Sequence, residues 1–192
     1  TFHFIVAQKE IRTTSDLRGR KLGTARIGGP DHLAAEGILQ SKGINIKDVQ
    51  FVTVGGADEP VRVEILKKGL VDAIVVSLPF PLLLKKEGYQ ILGGPGDTKL
   101  GIISAIGTTE QRLNEKREEV KKVLRAIVRG IRFFHEQREE TISIMMDWLS
   151  QSREIAAESY DIARPYYSPD GTTSDSNLQF NIETLKGLIG ST

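Results

Sequence analysis

The stretch Lys21–Leu39, with the sequence KLGTARIGGPDHLAAEGIL, decides the fold that we predict for this chain. It reads as a strand over Lys21–Ala25, a glycine-rich turn over Arg26–Gly29 and a helix that begins at Pro30. Proline suits the first helical position because the N–H group that it lacks would have no partner there. Paired glycines let the backbone approach a ligand closely, and the N–H groups of the following turn favour an anion or a polar group. The same pattern also fits a plain connection between a strand and a helix, so this stretch alone leaves both interpretations open.

The composition is that of an ordinary globular protein without cysteine. The 192 residues are 39% hydrophobic and 27% charged, with a net charge of +1. This charge provides no field that would recruit nucleic acid or an anionic membrane surface. The absence of cysteine excludes disulfides, thiolate catalysis and cysteine-bound metals. The sequence has no signal-peptide pattern and begins at Thr1 directly in a strand-like run, so we expect that the natural start lies upstream.

The first half of the chain repeats a strand–helix order. The predicted strands are Phe2–Ala7, Lys21–Ala25, Gln50–Val54, Val71–Ser77 and Tyr89–Leu92, and the predicted helices are Pro30–Lys42, Glu59–Lys68 and Pro79–Glu87. Glycine follows each of these helices and supplies the left-handed residue beyond a helix end. Strands that alternate with such helices predict βαβ units and a parallel sheet. Val71–Ser77 is almost continuously apolar, which is typical of a strand covered on both faces.

The second half is predicted to be mainly helical. The turn-rich segment Gly93–Leu100 separates the two regions, and Gly101–Gly107 is predicted to be one more strand. The predicted helices are Asn114–Gln137, Glu140–Leu149, Arg153–Ala163 and Leu178–Ile189. The first of them is amphipathic, because its apolar residues recur at helical spacing. The aromatic residues that we interpret as core packing are Trp148, Tyr160, Tyr166 and Tyr167.

Three strand-to-helix turns are predicted to meet at one edge of the sheet, because the carboxyl ends of parallel strands lie together and bind ligands in such folds. The candidate ligand-binding residues are Arg26, Gly28, Gly29, Pro30 and Asp31 in the first turn, Gly55, Gly56 and Glu59 in the second, and Ser77, Pro79 and Phe80 in the third. His32 either hydrogen-bonds a ligand or faces solvent. We find no nucleotide-binding, hydrolase or metal-binding motif and no acid–base pair or nucleophile, so we predict binding rather than catalysis, with no cofactor or metal.

Three segments carry a resemblance to a known family. They are DLRGRKLGTARIGG at Asp16–Gly29, LVDAIVVSLPFPLLLKKEGYQIL at Leu70–Leu92 and GTTEQRLNEKREEVKKVLRAIVRGIRFFHE at Gly107–Glu136. In this order they resemble the nitrate/sulfonate/taurine-type solute-binding proteins of ABC transporters, a group that includes the NMT1/THI5-like pyrimidine-precursor binders. The resemblance implies an α/β, periplasmic-binding-protein-like fold (type II) with two lobes. It implies that residues 1–98 form a Rossmann-like lobe two, and that residues 99–192 form the return crossover strand and C-terminal helices of an incomplete lobe one.

The resemblance also implies a function. The chain is expected to belong to a periplasmic or otherwise extracytoplasmic protein that captures a small organic or oxyanion ligand and delivers it to an ABC transporter permease. Its partners would be that ligand and the permease, with no nucleic acid and only indirect membrane contact. If the first part of lobe one is missing, its returning helices expose apolar surface, so we expect packing on another copy of the chain or on their own flank.

The ligand class and two other functions stay open at this point. Many relatives have Gly-Ser or Gly-Thr where this chain has Gly29-Pro30, so a hydroxyl for an oxyanion is lacking. Asp31 would repel an anion if it faced the cleft, so a pyrimidine or an amine remains an alternative. The same fold serves small-molecule-sensing domains of regulators. It also serves thiamine-pyrimidine-synthesis-type enzymes, which rely on a cysteine-rich motif that this chain lacks.

Overall fold

The chain divides into two compact units, Thr1–Leu100 and Gly101–Thr192, which we call the sheet unit and the helical unit. The computed structural model describes residues 3–56, 58–97 and 105–189. The sheet unit contains β1 (His3–Ala7), β2 (Lys21–Thr24), α1 (Pro30–Ser41), β3 (Gln50–Thr53), α2 (Glu59–Lys67), β4 (Ala73–Ser77), α3 (Phe80–Lys86) and β5 (Gln90–Gly93). The helical unit contains α4 (Glu110–Glu115), α5 (Arg117–Glu136), α6 (Arg138–Leu149), α7 (Arg153–Ala163) and α8 (Asp175–Ile189).

The strands of the sheet unit form one mixed sheet in the order β3-β2-β4-β1-β5. β2 pairs in parallel with β3 and β4, as the strand–helix repeat predicts. β1 pairs antiparallel with both β4 and β5, so the prediction of a parallel sheet is wrong for this strand. Helical crossovers connect parallel strands, whereas residues 8–20, which join β1 to β2, contain a 3₁₀ turn at Thr14–Leu17. The amino end of β1 therefore lies at the edge where β2 and β4 end.

The core of the sheet unit lies between the sheet and α1. Ile38 and Leu39 of α1 are fully buried and belong to one apolar cluster with Ile5, Leu22 and Val75. Side chains at every second strand position share a face of the sheet, so this cluster occupies one side. The intervening residues of β4 are also fully buried. Cover on both faces of β4 is thus confirmed.

The element boundaries in the sheet unit agree with the sequence predictions to within two residues. In the helical unit, the long predicted helix begins three residues later than expected, at Arg117, after the short helix α4. The break falls at Lys116, whose φ of −129° is not helical. Of the predicted strand Gly101–Gly107, residues 105–107 have no regular structure, so the prediction is wrong for them, and residues 101–104 lie outside the described part of the chain.

The core of the helical unit is small. Ile142, Ala156 and Tyr160 are buried together, and the Tyr160 hydroxyl donates to the carbonyl oxygen of Phe134 at 2.7 Å. Tyr160 is therefore a core residue, as predicted. Trp148 is not, because it is 82% exposed at the end of α6. No helix within the described residues is long and apolar enough to cross a bilayer.

Candidate functional site at the carboxyl edge of the sheet

The turn between β2 and α1 is built on two glycines with different roles. Gly28 has a φ of +76°, a left-handed conformation that suits glycine. Gly29 is the N-cap of α1, and its N–H donates to the carbonyl oxygen of Arg26 at 2.9 Å. A Cβ atom on Gly29 would lie 2.9 Å from that same oxygen and 3.1 Å from Asp31 Oδ1. The turn therefore closes tightly only with glycine at position 29.

Asp31 points back into this turn. Its carboxylate accepts a hydrogen bond from the N–H of Ala25, and the residue is only 4% exposed. The Asp31 carboxylate is therefore directed at the backbone of its own turn and not at solvent. The negative charge instead holds the end of β2 against the start of α1. An acidic side chain in the first helical turn also interacts favourably with the helix dipole.

At the start of α1, two backbone N–H groups lack an acceptor within the helix. Gly29 has no side chain with which to cap the helix, and Pro30 has no N–H group. The N–H groups of the next two residues, Asp31 and His32, have no acceptor within the helix, because the first intrahelical bond is donated by Leu33 to Gly29. Arg26, Gly28 and Pro30 are exposed beside them. This is the geometry that binds anions at helix termini.

His32 does not face solvent. It is 8% exposed, and its ring lies against Phe51 with the ring centroids 4.4 Å apart. Its Nδ1 atom is 3.8 Å from Glu36 Oε1 on the next turn of α1. His32 is therefore a packing residue under the turn, and the interpretation of a solvent-facing histidine is wrong.

The turn after β3 is held by its own helix. Gly55 and Gly56 have φ values of +67° and +50°, and a Cβ atom on Gly55 would lie 3.1 Å from the backbone nitrogen of Arg62. The Asp58 side chain caps α2 by accepting from the N–H of Val61 at 3.2 Å. The Arg62 guanidinium donates through Nη1 to the carbonyl oxygen of Gly56. The paired glycines thus allow the turn to fold closely over α2.

The turn after β4 is tied to the turn after β3 through Glu59. The Glu59 carboxylate accepts from the Ser77 N–H at 3.0 Å and from the Ser77 hydroxyl at 3.0 Å. Pro79, which follows a cis peptide bond, and Phe80 continue into α3 as half-buried residues. Of the predicted site residues, the structure brings Glu59 and Ser77 into direct contact. The first turn lies at the same edge, because β2 and β4 are parallel neighbours.

Two residues at this edge carry charge or protons and were missed by the sequence analysis. Arg62 is 2% exposed, and its Nη2 lies 3.8 Å from Glu59 Oε1. His3 is the residue of β1 that pairs with Ser77. The i,i+3 spacing of Glu59 and Arg62 was the one signal that the sequence offered for Arg62. Nothing in the sequence placed His3 at this edge, because that placement depends on the antiparallel orientation of β1.

The pKa of His3 is lowered to about 4, mainly because the side chain is buried; the positive charge of the amino terminus and, less strongly, Arg62 add to this effect, and Asp31 opposes it. An unfolded histidine has a pKa near 6.5, so between pH 6.5 and pH 4 the unfolded chain binds a proton that the folded chain does not. We therefore expect the sheet unit to be fully stable above pH 6.5 and to lose up to about 3 kcal/mol as the pH falls to 4.

Urea unfolding of the sheet unit at pH 7.5 and at pH 4.5 measures this loss, and a His3→Gln variant should reduce the difference between the two stabilities. His135→Gln, in the helical unit, is the matched control and should leave the difference unchanged. Equal pH dependence in the wild type and in His3→Gln would contradict this role of His3.

The fold is similar to that of several solved proteins. The alkanesulfonate-binding protein SsuA from Xanthomonas axonopodis pv. citri, solved bound to MOPS, matches with a TM-score of 0.76 and 15% identity, over 97% of this chain and 63% of its own. The periplasmic aliphatic sulphonate binding protein SsuA from Escherichia coli matches with a TM-score of 0.69 and 18% identity, over 97% and 63%. The desulfurization enzyme DSZB matches with a TM-score of 0.62 and 13% identity, over 98% and 69%. These likenesses confirm the α/β, periplasmic-binding-protein-like fold, and the chain spans less than two thirds of the two sulfonate-binding proteins.

Sequence comparison identifies the family. Curated protein sequences give no significant match. The family model described as NMT1/THI5 like matches residues 1–141, which is more than half of the chain and includes all three turns of the candidate site. The chain therefore belongs to the NMT1/THI5-like family.

Proposed function

We propose that this chain is part of the solute-binding component of an ABC importer. In this proposal residues 1–98 are lobe two and residues 99–192 are the returning part of lobe one. The protein captures a small organic ligand between its lobes and delivers it to a permease, outside the cytoplasm. Family membership and the likeness of fold to two sulfonate-binding proteins support this proposal.

The ligand that we propose carries an anionic group, and the observation that carries this proposal is the inward orientation of Asp31. The carboxylate accepts from the N–H of Ala25 inside the turn, so it does not occupy the N–H groups of Asp31 and His32, which have no acceptor within α1. This chain has Pro30 where many relatives have a serine or threonine hydroxyl. That hydroxyl is not required for anion binding, because backbone N–H groups alone bind anions at helix termini. A sulfonate or a comparable oxyanion satisfies these donors.

The end of β4 favours a hydrogen-bond donor on the same ligand. Ser77 gives both its amide proton and its hydroxyl proton to Glu59. A serine hydroxyl has one proton and two acceptor lone pairs, so in this arrangement Ser77 offers only lone pairs to a ligand. A short organic anion with an amino or hydroxyl group therefore fits the edge better than a simple alkanesulfonate.

A thermal-shift screen of the complete gene product tests the proposal. The panel consists of 2-aminoethanesulfonate, ethanesulfonate, nitrate, an aromatic carboxylate and an aminopyrimidine. We expect the unfolding temperature to rise with the sulfonates and to rise most with 2-aminoethanesulfonate, because a ligand that binds only the folded state stabilises it. A shift with the pyrimidine alone would contradict the anionic ligand, and no shift with any of them would contradict the receptor function.

The desulfurization enzyme among the similar structures makes catalysis the second candidate function. The cysteine-dependent enzymes of this fold have no counterpart here, because the chain contains no cysteine. The Ser77 hydroxyl donates a hydrogen bond to the Glu59 carboxylate. We interpret this contact as holding the turn and do not assign the two groups as a nucleophile and its base. Recovery of a panel compound unchanged after prolonged incubation with the protein would support binding without turnover.

We also propose that the 192-residue chain self-associates through one face of α5. The apolar face of α5 comprises Val120, Leu124, Ile127, Val128, Ile131 and Phe134. Phe134 packs against the core cluster of the helical unit, but no residue of α5 is buried. An apolar groove of about 310 Å³ on this face is lined by Ile127, Gly130, Ile131, Phe134 and Tyr167. Exposed apolar surface of this kind is covered by packing in most soluble proteins.

Leu124, which is 47% exposed, is the residue with which to test this proposal. We expect Leu124→Lys to weaken self-association at least tenfold in sedimentation velocity, because an ammonium group would be buried in the contact. Unfolding stability should change by less than about 0.5 kcal/mol, as for other surface substitutions. Leu113→Lys, at a position 43% exposed on α4, is the matched control. A wild-type chain that stays monomeric at high concentration would contradict the proposal.

A further inference from the structure

We propose that Arg62 is a positioning residue, which fixes the charge and the direction of hydrogen bonding at the end of β4. The proposal concerns how the candidate site is held, and its ligand-binding consequence rests on the proposed function. Arg62 itself is too deeply buried to contact a ligand, because it is 2% exposed. It acts through Glu59 and the turn after β3.

The burial of Arg62 requires a charge partner. A guanidinium that loses water is stable in a protein only when it is paired or hydrogen-bonded. Arg62 donates to the carbonyl oxygen of Gly56, and its Nη2 lies 3.8 Å from Glu59 Oε1. Its Nε is buried without an acceptor among the described residues. Attraction to Glu59 is therefore a large part of what holds this side chain in place.

The same attraction fixes Glu59. The side chain of Glu59 is 18% exposed, so its carboxylate lies at the surface of the site rather than under it. Oε1 faces Arg62 and accepts the amide proton of Ser77 at 3.0 Å, and the Ser77 hydroxyl lies 3.0 Å from both carboxylate oxygens. Without Arg62 the carboxylate would be free to turn towards water. Ser77 would then recover its hydroxyl proton as a donor.

Two consequences follow for a ligand at this edge. Arg62 cancels the negative charge of Glu59, so an anion is not repelled from the end of β4. By holding Glu59 in place, Arg62 also keeps the amide and hydroxyl protons of Ser77 hydrogen-bonded to the Glu59 carboxylate. The Ser77 hydroxyl can then only accept a hydrogen bond from a ligand. A single buried arginine would thus account for the acceptance of an anion together with the preference for a hydrogen-bond donor. The hydrogen bond from Arg62 to the carbonyl oxygen of Gly56 also holds the turn after β3 in place.

Amide hydrogen exchange tests the positioning role without any ligand. In the complete gene product, we expect Arg62→Met to accelerate exchange of the Ser77 amide at least tenfold, because the bond to Glu59 opens locally. The Val75 amide, within β4, should change much less, since exchange reports local opening separately from global unfolding. Arg18→Met is the control, because Arg18 forms an exposed ion pair with Asp48 at 3.6 Å. Unchanged Ser77 exchange, or equal acceleration at Ser77 and Val75, would overturn the proposal.

A charge-restoring double variant gives the second test. We expect Arg62→Met to weaken binding of ethanesulfonate at least tenfold, and Arg62→Met combined with Glu59→Gln to bind within threefold of the wild type. A purely structural arginine would show no such recovery, so a double variant as weak as the single one would overturn the proposal. If Arg62→Met does not fold, Arg62→Lys is the variant to test, because it keeps the positive charge. Its affinity for ethanesulfonate should fall less than fivefold. A larger loss would contradict the proposal that the charge of Arg62 offsets that of Glu59.

The two proposals fail in different ways. A wild-type protein that binds neither ethanesulfonate nor 2-aminoethanesulfonate would overturn the proposed ligand. The exchange of the Ser77 amide would still decide the role of Arg62, because it is measured without ligand.

Discussion

Gly29→Val is expected to weaken binding of 2-aminoethanesulfonate at least 100-fold, which corresponds to about 2.7 kcal/mol of binding free energy. The added Cβ would lie 2.9 Å from the carbonyl oxygen of Arg26 and 3.1 Å from Asp31 Oδ1, so the turn must open. Opening moves the N–H groups at the start of α1 away from the positions in which they converge on an anion. Isothermal titration calorimetry of the complete gene product measures the loss.

Gly29→Val should reduce the stability of the folded protein much less than it reduces the affinity for the ligand. Gly29 has an ordinary φ of −78°, so valine brings no left-handed strain, and we expect the sheet unit to lose about 1 kcal/mol of stability. Gly107→Val is the matched control, because a Cβ atom there meets nothing within 4 Å. Unchanged affinity in Gly29→Val would show that the turn is only a connection between β2 and α1.

Asp31→Ala is expected to destabilise the sheet unit by about 2 kcal/mol and to weaken sulfonate binding as well. The substitution leaves the N–H of Ala25 without its acceptor in a partly buried turn. Asp31→Asn keeps an acceptor oxygen and should lose less than half as much stability. Chemical unfolding of the two variants, followed by titration with ethanesulfonate, measures both effects.

The sign of the affinity change in Asp31→Ala separates two accounts of this residue. If the carboxylate faced the ligand, its removal would relieve repulsion, and the variant would bind the sulfonate more tightly with little loss of stability. If it holds the turn, as its bond to Ala25 indicates, affinity and stability fall together. Tighter binding by Asp31→Ala would therefore contradict our description of the site.

The strands and helices could be predicted from the sequence because their signals are local. Glycine after each helix, proline at the start of α1 and the apolar run of β4 depend only on neighbouring residues. For this reason the bounds in the sheet unit are correct to within two residues. The three turns were predicted to share an edge, and the parallel pairing of β2 with β3 and β4 places the carboxyl ends of these strands at one edge.

The orientation of β1 and the contacts within the site could not be predicted in the same way. No crossover helix links β1 to β2, so periodicity carries no information about its direction, and His3 was not placed at the edge. The bond between Glu59 and Ser77 spans 18 residues and depends on how α2 sits against β4. The inward turn of Asp31 depends on side-chain geometry, because its position at the start of a helix fits either orientation.

The helical unit shows the limit of interpreting aromatic residues by type. Tyr160 is buried and hydrogen-bonded to the backbone of Phe134, as a core tyrosine requires. Trp148 has the same apolar character but lies at the last turn of α6, where it is 82% exposed. Composition predicts that an aromatic residue prefers burial, but only the packing of α6 on α7 selects which side chain is buried.

The central claim is that the edge formed by the ends of β2 and β4 binds a small organic anion that also carries a hydrogen-bond donor. A paired calorimetric titration of the complete gene product with 2-aminoethanesulfonate and ethanesulfonate tests it most directly. We predict saturable binding of both compounds, with 2-aminoethanesulfonate at least fivefold tighter because its amino group meets the lone pairs of Ser77 and the carboxylate of Glu59. Absence of binding by both compounds at millimolar concentration, or tighter binding of ethanesulfonate, would contradict the claim.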